Sequence, residues 1–179
     1  MANHGNHGPR EIVLRFHDAV DRRDPAAFDL VAEDLIQHVA GPQGREGLQQ
    51  TLTTLDHDLD HPTATLHRVI AQDDVVVVHL TLHGRHVASS MPLLADLPPT
   101  RKAIAWDFTH IWRVADELIA EHWACRDDVR LLAQVGGWRS QGLHLGLRVA
   151  DLQQSLTFYT AFGTRCSGPS GRPRSVAAP

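Results

Sequence analysis

The residues of this chain best placed to do chemistry are two histidines and one aspartate on strand-like segments. His86 ends a segment whose apolar residues alternate from Val76 to Leu82, and its parity predicts that it points inward with them. Asp127 comes just after the last strand-like segment. An imidazole and a carboxylate that share a dry pocket can act as general base and acid. His110 alternates with three aromatic residues, a pattern suited to a pocket wall: Trp106, Phe108 and Trp112.

Spacing alone leaves a second interpretation open for each of these residues. A single inward histidine on an apolar strand is more often a hydrogen-bonded core residue, and an aspartate just after a strand is usually a turn or cap residue. His57 and His61 have a spacing that could hold a metal on a helix, whereas His83 and His86 alternate onto opposite faces of a strand. Because the motifs HExxH and CxxC are absent, no metal and no cofactor is expected.

The bulk composition limits the classes of function. The chain has 179 residues, of which 42% are hydrophobic and 21% charged, as in a globular domain. Its formal net charge is −4 with 13 histidines counted as neutral, and its arginines are scattered, so no nucleic-acid partner is expected. The longest apolar run, residues 75–78, is far shorter than the about 20 residues that cross a bilayer. Two cysteines give no disulfide framework, so a cytoplasmic location is expected.

Helical periodicity comes first along the chain and strand periodicity follows. Apolar spacing predicts a helix over residues 9–23, a short helix that opens at Asp24 and Pro25, and a third helix with a leucine stripe over 48–59. Helices followed by antiparallel strands indicate an α+β fold, and the missing βαβ alternation excludes a dinucleotide-binding fold. The strands are predicted at residues 63–71, 75–86, 101–114 and 118–125, with a closing helical turn at 128–135.

Several short motifs resemble those of the SnoaL-like polyketide cyclases, which belong to the NTF2-like superfamily. The resemblance covers about residues 9–138, and its ending is the most specific part. The motifs are DLIQH at 34–38, GREG at 44–47, HGRH at 83–86, FTHIWR at 108–113, IAEHW at 119–123 with Asp127 four residues beyond, and QVG at 134–136.

The resemblance implies a cone in which a curved antiparallel sheet wraps around the N-terminal helices and a central pocket. Family cyclases close a ring by intramolecular aldol condensation without metal or cofactor. On this basis Asp127 is expected to be the general base, its pKa raised by burial against tryptophans, while His110 and His86 donate to the enolate oxygen or tune Asp127. Substrate contacts are expected from His38 at the pocket mouth and from Trp106, Phe108, Trp112, Glu121 and Trp123. The expected assembly is a homodimer that binds a small-molecule substrate.

Two other functions remain open at this point. The first is another NTF2-like activity, such as an epoxide hydrolase or an isomerase, in which the Asp127 carboxylate would activate water or move a proton. The second is a non-catalytic module that binds a small molecule or dimerises. A fold does not choose among these functions, because they share the same scaffold.

The C-terminal part of the chain resembles a different family. Residues 143–163 are similar to the opening of a glyoxalase/bleomycin-resistance (vicinal oxygen chelate) domain, with His144 where that family often places a metal ligand. Such a domain needs two complete βαβββ modules, so residues 139–165 are interpreted as a strand and a helix left by a truncated fusion. The flanking residues 1–8 and 166–179 lack periodicity and are predicted to be disordered tails.

Overall fold

The structure is a computed structural model that describes residues 8–137. Contacts divide the chain into two units, Met1–Arg139 and Ser140–Pro179, and all described residues belong to the first unit. The glyoxalase-like segment and the terminal residues 166–179 therefore lie outside the described residues. The elements, in chain order, are α1 (Pro9–Asp21), a short 3-10 helix (Pro25–Leu30), β1 (Val31–Gln37), α2 (Gly44–Asp58), β2 (Leu59–Gln72), β3 (Val75–His86), β4 (Ala103–Ala115), β5 (Leu118–Arg126) and α3 (Asp128–Val135).

The five strands form one curved sheet in the order β1-β5-β4-β3-β2. Four of the strands are antiparallel neighbours, but β1 pairs with β5 in parallel, with Val31 beside Ile119. The sheet is therefore mixed: the predicted antiparallel sheet comprises β2 to β5, and β1 adds a parallel strand at its edge. The α+β class is confirmed. The sequence pattern missed β1 because only its Val31, Leu35 and Gln37 are buried, in irregular alternation.

Helix α1 forms where the sequence predicts it and covers one face of the sheet. Pro9 stands at its first turn, where a missing N–H has no cost, and Ile12, Val13, Phe16 and Ala19 form its buried stripe. This stripe packs across β2, β3, β4 and β5. We call the covered side the inner face; it carries Val76, Val78, Leu80, Trp106, Trp112 and Ile119 in a single core.

An irregularity in β5 decides which of its side chains reach the inner face. Arg113 of β4 pairs with Glu121, but the next residue, Val114, pairs with Ile119, so β5 has one extra residue, Ala120, at this point. Such a bulge reverses the alternation of a strand. As a result Ile119 and His122 are both buried on the inner face, and Glu121 lies on the outer one.

Helix α3 is the last element of the described residues. It packs against the part of β4 that extends beyond the end of β5 and has no strand partner on that side. Gln134 of α3 accepts a hydrogen bond from the Ala105 N–H at 2.7 Å and donates one to the Ala105 carbonyl at 2.9 Å. Leu131 and Val135 of the same helix are buried in the core. Among the described helices, none combines the length and the apolar character needed to cross a membrane.

Candidate active site

Three histidines from three elements meet on the inner face. His17 comes from α1, His110 from β4 and His122 from β5, and we call them the histidine cluster. The ring centroids of His17 and His110 are 5.8 Å apart, and those of His110 and His122 are 5.1 Å apart. Trp112 packs between them, stacked on His122 at 4.0 Å and edge-on to His17 at 5.7 Å.

Hydrogen bonds join the rings of the histidine cluster to fixed partners. His110 Nδ1 lies 2.9 Å from His122 Nε2, and His122 Nδ1 lies 3.4 Å from the side-chain oxygen of Gln37. The indole N–H of Trp112 donates to His17 Nε2 at 3.1 Å. An indole nitrogen can only donate, so the neutral His17 ring carries its hydrogen on Nδ1. His17 therefore has a donor available on its other nitrogen.

Burial keeps the histidine cluster uncharged. It lowers the pKa of His17 to about 4. Burial, with the neighbouring His17 and His38, lowers the pKa of His122 to about 4. The pKa of His110 lies well below its ordinary value because of burial first, and then because of the positive charge that His17, His122 and Arg126 would contribute. At neutral pH all three rings are neutral imidazoles, each of which can donate and accept a hydrogen bond.

A cavity of about 50 Å³ adjoins the histidine cluster, and His17 belongs to both. Its walls come from α1, α2, β2 and β3, and most of them are apolar, including Val20, Leu52 and Leu82. Asp21 and Asp56 also line it. The Asp21 carboxylate accepts a hydrogen bond from the backbone N–H of Ala64. The Asp56 carboxylate forms an ion pair with the Arg23 guanidinium. A small, mostly apolar space beside neutral imidazoles is unfavourable for an unpaired ion.

The aromatic side chains that alternate with His110 lie on the inner face, as the sequence predicts. Trp106 packs on Phe108 at 4.5 Å, and Phe108 stacks on His110 at 5.2 Å. Trp106 is 1% exposed, and its indole N–H has no hydrogen-bond partner among residues 8–137. Buried donors are nearly always paired, so this unpaired N–H is an exception on the inner face. A substrate-binding role for these aromatic residues stays a prediction.

Asp127 is not part of the histidine cluster. The structure places it at the N-cap of α3, exposed, where its carboxylate accepts a hydrogen bond from the Arg130 N–H at 2.9 Å. The predicted burial against Trp112 and Trp123, which was to raise its pKa, does not occur. Its position directly after a strand reflects the helix that begins there, so the cap interpretation of this aspartate is confirmed.

We therefore expect Asp127→Asn to retain most of the activity. Asparagine is as good an N-cap as aspartate, so α3 keeps its first turn and the free energy of unfolding changes by less than about 1 kcal/mol. The measurement is kcat/KM of the variant beside its melting temperature. A loss of more than about tenfold in kcat/KM at unchanged stability would mean that Asp127 is the general base after all.

His86 is buried as predicted, but at a different place in the core. It is 0% exposed, and its ring bonds to Ser89 Oγ at 2.9 Å and Thr100 Oγ1 at 3.1 Å. Ser89 in turn donates to the Leu97 carbonyl at 2.6 Å. These bonds hold together the two ends of the loop between β3 and β4. The core-residue interpretation accounts for every contact of His86, and its predicted role beside His110 has no support in this geometry.

Three further predicted site residues lie together on the outer face of the sheet. His38 stacks on Trp123 with ring centroids 4.1 Å apart, and His38 Nε2 lies 2.7 Å from the Glu121 carboxylate. Glu121 also accepts a hydrogen bond from Arg113 Nε at 2.5 Å. The hydrogen bonds from His38 and then Arg113 hold the pKa of Glu121 below its usual range. His38, Glu121 and Trp123 therefore form a group on the face opposite the histidine cluster.

The sequence interpretation left His17 and His122 without a role, although one of them carries a readable signal. His17 follows Val13 by four residues and precedes Val20 by three, so helical spacing places it on the apolar stripe of α1. His122 carries no such signal, because the bulge at Ala120 reverses the parity of β5. Strict alternation from Ile119 therefore predicts the wrong side chains for the inner face.

Comparisons with known proteins agree with this fold. The family model described as SnoaL-like polyketide cyclase matches residues 11–135. The chain belongs to this family, and the match confirms the resemblance seen in the sequence. Membership makes the chain an enzyme of the cyclase type. None of the curated proteins matches the chain.

Solved structures share the fold over almost their whole length. TsrD from Streptomyces laurentii is 21% identical, with a TM-score of 0.64 over 72% of this chain and 95% of that one. IdmH, a putative polyketide cyclase from Streptomyces antibioticus, is 25% identical, with a TM-score of 0.62 over 73% of this chain and 99% of that one. A protein with a ketosteroid isomerase-like fold from Catenulispora acidiphila is 20% identical, with a TM-score of 0.56 over 74% and 99% of the two chains.

Proposed function

We propose that this enzyme closes a ring by an intramolecular aldol-type condensation without a cofactor, and that His110 is its general base. The observation that carries the proposal is the histidine cluster itself. It consists of neutral imidazoles with fixed hydrogen-bond partners, on the inner face and beside a mostly apolar cavity. A carbon acid between two carbonyls needs one base and donors near the developing enolate oxygen.

The proposed reaction uses one proton that leaves His110 and returns to the product. His110 Nε2 takes the proton from the carbon between two carbonyl groups, and the electron pair of the C–H bond moves onto a carbonyl oxygen. The enolate carbon then forms a bond to a second carbonyl carbon of the same molecule. The resulting alkoxide takes the proton back from the imidazolium, so the product is an isomer of the substrate.

We assign stabilisation of the enolate oxygen to His17, which lines the cavity. Its Nδ1 carries the ring hydrogen, because its Nε2 accepts from Trp112. A neutral imidazole can polarise a carbonyl when its pKa is lowered, because its N–H donates without a net charge to be desolvated. The enolate would in turn raise the pKa of the nearby His110, since an opposite charge favours the protonated ring.

The geometry bears differently on the two alternative functions, the epoxide hydrolase or isomerase and the non-catalytic binding module. Epoxide opening by a carboxylate depended on Asp127, which is exposed at the start of α3. A binding module without catalysis has no need of three uncharged imidazoles held by fixed hydrogen-bond partners, although the same cavity would serve it. The homodimer, the small-molecule partner and the cytoplasmic location stay predictions.

The proposal is tested by the pH dependence of ring closure. A panel of open-chain poly-β-ketone methyl esters is incubated with the enzyme, and cyclic isomers are followed by liquid chromatography and NMR. Because burial lowers the pKa of His110 well below its ordinary value of 6.5, the profile of kcat/KM against pH should show no midpoint near 6.5. A midpoint near 6.5 would mean that the base is a solvated histidine outside the histidine cluster. No cyclic product from any ester would count against the proposed function.

A further inference from the structure

The side chain of Gln37 joins the histidine cluster from the parallel edge strand β1. We propose that Gln37 and His122 are positioning residues, which fix the His110 tautomer that leaves a lone pair on Nε2. As far as it concerns catalysis, the inference rests on the proposed function. It extends that proposal to two residues that need not touch the substrate.

Three hydrogen bonds fix the orientation of Gln37. Its side-chain nitrogen donates to the Pro42 carbonyl at 2.5 Å. Its main chain exchanges two bonds with the side chain of Gln43, at 2.9 Å for the N–H and 3.0 Å for the carbonyl. The amide nitrogen is therefore used by Pro42, and the amide oxygen is the atom that faces His122 Nδ1. Gln37 is only 7% exposed, so water does not compete for these bonds.

The hydrogen positions of both rings follow from that oxygen. An amide oxygen only accepts, so His122 Nδ1 must carry a hydrogen. The neutral His122 ring then has a lone pair on Nε2, and this atom lies 2.9 Å from His110 Nδ1. His110 must donate to it, which places the His110 hydrogen on Nδ1 and leaves Nε2 unprotonated. His122 stacks on Trp112 with the ring centroids 4.0 Å apart and an angle of 16° between the ring planes. This stacking keeps the His122 ring in the plane that both hydrogen bonds require.

The chain matters for catalysis because only one tautomer of His110 is a base at Nε2. If the Gln37 acceptor were removed, His122 could carry its hydrogen on Nε2 instead. That hydrogen would point at His110 Nδ1, and His110 would then have to carry its own hydrogen on Nε2. Both rings would change together, and Nε2 of His110 would become a donor.

The experiment reads the tautomers directly, in the full-length chain labelled with ¹⁵N. Two-bond ¹H–¹⁵N correlation spectra at pH 7 distinguish hydrogen on Nδ1 from hydrogen on Nε2, and His110→Asn and His122→Asn assign the signals. We expect both rings to carry hydrogen on Nδ1 in the unmodified chain. We expect Gln37→Met to shift both to Nε2, and Gln37→Glu, which keeps an acceptor of the same length, to retain Nδ1. Nε2 hydrogen in the unmodified chain, or an unchanged pattern in Gln37→Met, would overturn the inference.

The matched control is Gln43→Ala, because Gln43 bonds the main chain of Gln37 and not the rings. It should loosen the same loop without changing either tautomer; a tautomer change in this variant would overturn the specific role of Gln37. If Gln37→Met fails to fold, the spectra of the unmodified chain and of Gln37→Glu still decide the matter.

Activity separates this inference from the proposed function. In Gln37→Met, kcat/KM for ring closure should fall about 10- to 100-fold, with recovery in Gln37→Glu, because a wrong histidine tautomer removes the base. If the spectra show the expected tautomers but His110→Asn cyclises normally, the proposed function fails and the tautomer assignment stands. If His110→Asn is inactive but the tautomers are reversed, the positioning role fails and the proposed function stands.

Discussion

His110→Asn is expected to lower kcat for ring closure by about 10²- to 10⁴-fold, the usual contribution of a general base. Asparagine fills part of the imidazole volume and keeps a donor toward His122, so the inner face should still pack. The variant loses the lone pair at Nε2, and in the reaction proposed above no other group takes the proton. Steady-state kinetics on the cyclised ester, with the melting temperature beside them, make the measurement.

The matched control for this variant is His86→Asn. Both residues are histidines, one on β3 and one on β4, and both changes replace a ring by an amide. His86→Asn breaks the bonds to Ser89 and Thr100, so it should lower the free energy of unfolding by about 1–3 kcal/mol. Its folded fraction should keep kcat within about threefold. Equal losses of kcat in the two variants would mean that neither histidine is the base.

The sequence predicts the scaffold of this site better than the site itself. Regular periodicity places α1, β3 and α3 within a few residues of their true bounds, because each of them buries one face. Edge strand β1 escapes this reasoning because its burial pattern is irregular and its partner, β5, lies more than eighty residues away along the chain. The parallel pairing there depends on tertiary packing, which no local pattern records.

The errors in the candidate site have two physical sources. One is the bulge at Ala120, which exchanges the faces of β5 and brings His122 inward in place of Glu121 and Trp123. The other is that a motif fixes chain position but not burial. Asp127 matches the end of a family motif, yet the turn into α3 directs its carboxylate to the helix N-terminus. His110 shares one face with Trp106, Phe108 and Trp112, as their alternation predicts, because β4 has no irregularity between Trp106 and Trp112.

The histidine cluster should also make the fold sensitive to mild acid. In the folded chain the pKa of His17 and of His122 is about 4, whereas in the unfolded chain each returns to about 6.5. Between these values the unfolded state binds more protons, so the free energy of unfolding must fall as the pH falls. For each ring the loss of unfolding free energy is roughly 2 kcal/mol at pH 5 and about 3 kcal/mol at pH 4. Because the two rings are neighbours, their losses are not simply additive.

Carboxylates act in the same direction but at lower pH. The pKa of Asp58 is lowered by the backbone N–H groups of Met91 and Ser90, although burial alone would raise it. The pKa of Asp107 is lowered chiefly by its hydrogen bond from Thr81. Their stabilising contributions are complete above the ordinary carboxylate pKa near 4 and are lost below it. The interval from pH 6.5 to about 4.5 therefore reports on the buried histidines.

The measurement is urea unfolding at half-unit steps from pH 7.5 to 4.5, in the unmodified chain and in His17→Gln. The variant removes one of the two rings whose pKa is lowered to about 4, so its free energy of unfolding should fall less steeply over this interval, by up to about 2 kcal/mol at pH 5. His79→Gln is the control, because His79 is exposed on the outer face and lies outside the histidine cluster. A free energy of unfolding that stays constant from pH 7.5 to 5 in the unmodified chain would mean that the cluster takes up protons while folded. The uncharged imidazoles on which ring closure depends would then be absent at the lower pH, and activity should be lost over the same interval.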